Sequence, residues 1–164
     1  GLAAWRAIEG PLVAGDEGSR KEGNFVTRPS FGAGVIDFKA IVSLLGDSLP
    51  EQIIDARAAA RFAGKMPEPR AGLRAGHIPG SKNLPFNELL DEKGMFLPPD
   101  KLQQRFEDAG VDTGQSAITS CGSGVTACVL ALGLSLVGND DVSVYDGSWT
   151  EWGASSAPID AGEN

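Results

Sequence analysis

The chain has 164 residues, 41% of them hydrophobic and 22% charged, which fits one globular domain of ordinary size with some extra chain, large enough to bury a core without disulfides or a metal. A formal net charge of −8 argues against a nucleic-acid backbone or an anionic membrane surface as partner. No apolar run approaches a membrane span, and no positive-then-apolar leader stands at the start.

In chain order, GLAAWRAIEG reads as a short helix ending at Gly10-Pro11. The glycine-rich, charged VAGDEGSRKEGN has no apolar period and reads as a linker. Asp37 then caps a helix whose Ile41, Val42, Leu44 and Leu45 share a face and which Gly46 stops. QIIDA (52–56) is a short buried strand, and AAARF a helical turn broken by Gly64. A long, proline-punctuated loop runs from Lys65 to a short strand near Asn83-Leu84. PPDKLQQRFEDAGV is a helix capped by Asp100, with Leu102 and Phe106 inward. SAITS (116–120) is a strand, VTACVLALGLSLVG a helix apolar nearly all round and so buried, VSVYD (142–146) a strand, and GSWTEWGA a short aromatic helix. This alternation predicts an α/β fold: a central, mostly parallel sheet flanked by helices on both faces.

The segments GLAAWRAIEGP and SWTEWGASSAP align at one offset, matching Trp5 to Trp152 and Pro11 to Pro158. Either the agreement is chance, or residues 1–12 repeat the closing helix of the domain as the end of a preceding copy.

Two cysteines and one histidine cannot complete a Cys/His zinc set, so no metal and no cofactor is expected. Cys121 and Cys128 lie two helical turns apart, poorly placed to bridge each other; the expected compartment is reducing, the cytoplasm. Cys128, inside an apolar helix, reads as a small buried residue. Cys121 is different. It ends a strand and opens Gly122-Ser123-Gly124-Val125-Thr126 before a helix, the place where parallel sheets carry their active sites. Glycines let the backbone curl with its N–H groups inward, and the first N–H groups of a helix have no internal partner. A thiolate ringed by such donors has a lowered pKa and is a nucleophile at neutral pH. A sulfur sunk from solvent with its neighbours' amides aimed elsewhere would contradict this. A phosphate-binding cysteine loop needs an arginine at its end to pair the equatorial oxygens; here position 127 is alanine and the loop is short, which favours sulfur transfer over phosphoryl transfer.

CGSGVTAC resembles the active-site loop of the 3-mercaptopyruvate sulfurtransferases of the rhodanese superfamily, and differs from thiosulfate-preferring rhodaneses, where two basic residues stand at the positions of Gly122 and Ser123. IIDARAAARFAGKMPEPRAGLRAGHIPGSKNLPF and YDGSWTEWG extend the resemblance over about residues 35–160. It implies a catalytic rhodanese domain at 35–160, a tail at 161–164, a linker at 13–34, and at 1–12 the last helix of an N-terminal rhodanese domain. It implies that Cys121 takes sulfur from 3-mercaptopyruvate as a persulfide, releases pyruvate, and passes the sulfur to a thiol, thioredoxin or cyanide. The backbone of Gly122, Ser123, Gly124, Val125 and Thr126 would cradle the persulfide, and Arg61 and Arg70 would bind the substrate carboxylate, as guanidinium suits. The Ser123 hydroxyl would join a proton relay whose His and Asp come from the first domain. His77, and the Asp55–Arg57 pair, read as structural. Thiosulfate transfer, or a non-catalytic sulfur-carrier or docking role, remain alternatives.

Overall fold

A computed structural model describes residues 1–16, 18, 21–26, 34–46 and 52–162. Contacts divide the chain into two units, Gly1–Ser30 and Phe31–Asn164. Among its described residues the first holds one helix, α1 (Leu2–Ala7), within the span expected, and the Trp5 indole donates to the Pro11 carbonyl at 3.0 Å.

The second unit is a five-stranded parallel sheet, β1 (Gly34–Ile36), β2 (Gln52–Asp55), β3 (Lys82–Asn83), β4 (Ala117–Ser120) and β5 (Val142–Tyr145), in the order β1-β5-β4-β2-β3. Around it lie α2 (Phe38–Gly46), α3 (Ala59–Phe62), a 3₁₀ turn at Phe86–Leu89, α4 (Pro99–Asp108), α5 (Ala127–Leu136) and α6 (Ser148–Trp152). Successive strand residues face opposite sides, and the core divides accordingly. Ile54, Ala117 and Val142 join Leu102, Phe106, Leu130 and Leu134 from α4 and α5 in one cluster. Ile53, Ile118 and Tyr145 join Ile41, Trp149 and Trp152 from α2 and α6 in the other. Helices therefore cover both faces, as expected. Among the described residues no helix is long and apolar enough to cross a membrane.

Asp37 caps α2 as anticipated, its Oδ1 accepting the Ala40 amide at 2.9 Å. Four expectations change. Asp100 is not the cap of α4: Pro98 holds that position and Pro99 the first turn, where a missing N–H costs nothing, while Asp100 faces the positive helix end. The helix after Cys121 starts at Ala127 rather than Val125, because the loop uses those residues. That helix is also not buried all round. Only Ala127, Leu130, Ala131, Gly133 and Leu134 are buried, whereas Leu132 is 51% and Leu136 45% exposed; a helix laid on a sheet hides one side. Cys128 lies outside that buried set and is exposed rather than buried. Strand β1, three residues long, carries no sequence signal and owes its extended form to pairing with β5.

The loop after β3's predecessor helix is fixed by polar contacts. His77 stacks on Phe62 with ring centroids 3.7 Å apart, bonds the Phe62 carbonyl through Nδ1 at 2.9 Å, and exchanges backbone bonds with Asp160. Its structural reading stands. Trp152 donates to the Pro158 carbonyl at 2.9 Å, the bond Trp5 makes to Pro11 in the first unit.

Candidate active site

The chain leaves β2 toward β3 and returns on β2's other side as β4, then steps away to β5. The reversal opens a crevice between the carboxyl ends of β2 and β4. Asp55 and Ser120 are in register there, and the Ala56 amide donates to the Ser120 carbonyl at 2.8 Å. Ala56–Arg57 and Cys121–Gly122 therefore emerge side by side.

The carbonyls of Cys121 and Gly122 accept the amides of Trp149 at 2.9 Å and Thr150 at 3.0 Å, from the start of α6. A trans peptide points its C=O and N–H in opposite directions, so this docking turns the following amides into the loop. The Ser123 amide donates to Cys121 Sγ at 3.4 Å. Burial alone pushes the Cys121 thiol up. Donors outweigh it, led by the Thr126 hydroxyl and the Ser123 and Ala127 amides, and the thiol sits below its ordinary range. The sulfur is more sunken than the sequence suggests, with Cys121 only 1% exposed, but amides do aim at it. Cys121 also lines a cleft of about 380 Å³.

The sequence reading missed Ser148, fully buried and at φ +48°. Its Oγ accepts the amides of Cys121 and Gly124, both at 3.0 Å, and donates its one proton to the Tyr145 carbonyl at 2.8 Å. The Gly124 amide is thus committed to Ser148 and not to the sulfur, a correction to the expected cradle. Gly124 itself sits at φ +82°, where a Cβ would lie 2.8 Å from the Asp146 carbonyl oxygen. Val125 is 72% exposed and Ser123 is exposed as well.

Arg61 and Arg70 both line the cleft with Cys121 and Gly122. Arg61 pairs with Glu68 (Nη2 to Oε2, 2.5 Å), and a Cβ on Gly122 would come 3.1 Å from the same Nη2. Glu68 also takes Arg57 Nη1 at 2.8 Å, and Arg57 grips Asp55 with Nε at 2.9 Å and Nη2 at 2.7 Å. Arg57 further reaches the Gly76 carbonyl and lies over Trp149, 4.2 Å from the ring centroid. The Asp55–Arg57 pair is structural, as read from the sequence. Arg70 differs: its Nη1 donates to the Thr150 hydroxyl, and among the described residues no carboxylate pairs with it. Glu68, Thr150 and Ser148 were unassigned because their partners lie 7 to 80 residues away. The only available signal was that they share segments with better-marked residues.

A parallel α/β domain that holds a donor-ringed cysteine beside uncompensated guanidinium at a strand-reversal crevice defines a class: a domain with a cysteine nucleophile and an anion-binding cleft. Residues 39–155 match the rhodanese-like domain, and the chain belongs to the rhodanese family. The 3-mercaptopyruvate sulfurtransferase of Escherichia coli (strain K12) is 43% identical over 155 residues, 94% of this chain and 53% of that protein. The rat 3-mercaptopyruvate sulfurtransferase is 52% identical over 101 residues, 62% of this chain and 34% of that protein. The crystal structure of SseA from Escherichia coli, a 3-mercaptopyruvate sulfotransferase, superposes with a TM-score of 0.69 at 37% identity, covering 91% of this chain and 54% of that one. The chain thus spans about half, or less, of the length of these relatives.

Proposed function

We propose that this chain is the catalytic domain of a sulfurtransferase that takes sulfur from 3-mercaptopyruvate. The Cys121 thiolate attacks the substrate sulfur, the bond from that sulfur to C3 breaks, and its electron pair leaves on C3 as the pyruvate enolate. The proton released from the substrate's S–H returns to C3, giving pyruvate and an anionic persulfide on Cys121. An acceptor thiol, thioredoxin or cyanide then takes the outer sulfur and restores the thiolate. The Ser123 and Ala127 amides and the Thr126 hydroxyl stabilise the sulfur anion in both states.

The observation that carries this reading is the set of donors on Cys121 facing a cleft with Arg61 and Arg70 on its wall. Charge balance favours the keto acid over thiosulfate. Three guanidiniums, Arg57, Arg61 and Arg70, meet two carboxylates, Asp55 and Glu68, leaving one positive charge for a singly charged carboxylate rather than a doubly charged donor. Gly122 and Ser123 add no cation at the rim. A compartment that keeps thiols reduced, such as the cytoplasm, fits two free cysteines.

A preceding rhodanese domain completes the reading, with residues 1–12 as its last helix and 13–34 as the linker. Its support is the repeated Trp-to-Pro bond and the apolar side chains Leu2, Trp5 and Ile8, which are 56%, 44% and 72% exposed in the first unit. That domain would supply the relay partners of the exposed Ser123. The test is intact mass after exposure to 3-mercaptopyruvate. One sulfur atom should be added, and reductant should remove it. Cys121→Ser should abolish the addition and Cys128→Ser should leave it; equal loss in both variants refutes the assignment.

A further inference from the structure

Arg70 extends from a loop and is itself exposed. A long, solvated side chain gains little from binding a ligand unless something holds it in place beforehand. Arg61 is held by a carboxylate, which offsets its charge. Arg70 is held by a neutral oxygen, Thr150 Oγ1. The direction of that contact is fixed. Guanidinium offers only donors, so Thr150 accepts from Arg70 and its single proton goes to the Gly122 carbonyl at 2.5 Å. The Thr150 amide donates to the same carbonyl at 3.0 Å. The peptide that begins with this carbonyl ends in the Ser123 N–H, which points at Cys121 Sγ. A continuous run of bonds therefore leads from the unpaired cation of the cleft to the sulfur.

We propose that Thr150 is a positioning residue: its hydroxyl tethers the Arg70 guanidinium, with its charge uncompensated, to the loop that carries Cys121, so that an incoming carboxylate is seated at a set distance from the sulfur. The proposal rests on the reading of Cys121 as nucleophile and Arg70 as carboxylate ligand. It predicts that loss of the hydroxyl weakens selection for carboxylate-bearing reagents over neutral ones of the same size. Valine keeps the shape of threonine and removes only the polar group; serine keeps the hydroxyl.

The test uses two alkylating probes of the same size, iodoacetate with a carboxylate and iodoacetamide without one, on the full chain carrying Cys128→Ser so that the exposed thiol does not react. Mass spectrometry follows modification of Cys121, and the quantity read is the ratio of the two rate constants. Thr150→Val should lower the iodoacetate-to-iodoacetamide ratio roughly three- to tenfold, the effect of one ordinary hydrogen bond, and Thr150→Ser should restore it to within about twofold. In an Arg70→Ala background, Thr150→Val should change the ratio no further. An unchanged ratio in Thr150→Val, or an equal drop with Arg70 already removed, overturns the tether. Thr150→Ala serves the same comparison if the valine variant does not fold. A ratio indifferent to Arg70→Ala alone instead removes the carboxylate clamp, and an inert Cys121 removes the nucleophile, so failure of the underlying reading is told apart from failure of the tether.

Discussion

Replacing Ser148 by alanine should unsettle the cysteine loop more than the loss of one oxygen suggests. Ser148 is fully buried and its Oγ is the acceptor for the Cys121 and Gly124 amides. Without it both N–H groups are left buried and unpaired, at about 1–3 kcal/mol each. The lost bond to the Tyr145 carbonyl adds roughly 1 kcal/mol. Allowing for partial relaxation of the loop, the expected loss is about 2–5 kcal/mol, a large part of the roughly 5–15 kcal/mol that holds an ordinary domain. Glycine at the same position loses the same bonds but relieves the backbone at φ +48°, which for a non-glycine residue costs about 1–2 kcal/mol. Ser148→Gly should therefore be more stable than Ser148→Ala by about 1 kcal/mol. Urea unfolding followed by tryptophan fluorescence gives both numbers, with Trp149 and Trp152 buried in the core as reporters. A loss below about 1 kcal/mol for Ser148→Ala, or alanine more stable than glycine, would refute the view that this hydroxyl fixes the loop.

Arg61→Ala and Arg70→Ala should each raise KM for 3-mercaptopyruvate, by roughly tenfold for loss of a charged hydrogen bond, and more than for thiosulfate; steady-state kinetics with both donors decides it, and indifference to both changes removes the clamp. The thiolate is the reactive form, and Cys121's thiol is held below its ordinary range, so the rate of iodoacetamide alkylation at Cys121 should rise with pH through a midpoint below the usual thiol value and fall away on the acid side; a midpoint at or above that value contradicts the donor set. Gly124→Ala meets both a left-handed backbone and the Asp146 carbonyl 2.8 Å from the new Cβ, and should cost about 2 kcal/mol or more with loss of sulfur loading, read by thermal melting and intact mass; a variant that melts and loads as the parent does shows the loop has room to move.

Much of the site was legible because its chemistry is local. Cys121, Gly122 and Gly124 stand together between a strand and a helix, and that juxtaposition alone predicts a donor-ringed sulfur. The alternating short apolar strands and helices likewise gave a parallel sheet covered on both faces, and Asp37 the start of α2. Less was legible where a residue's role depends on what another segment brings to it. Asp100 looked like a cap, yet the two prolines before it take the helix start. The helix at 127–136 looked buried on every side, yet hydrophobicity says nothing of which side has a neighbour.

What the sequence determined by itself was the order of the elements from α2 onward, the cysteine and its loop, and the supply of arginines, since each follows from backbone freedom, apolar period and side-chain chemistry within a few residues. Tertiary structure alone decided which amides reach the sulfur, that Glu68 offsets Arg61 while Thr150 leaves Arg70 charged, and that Ser148 locks the loop. Those contacts join segments up to 80 residues apart, and hydrogen bonds are set by distance and direction in space, which no local pattern encodes.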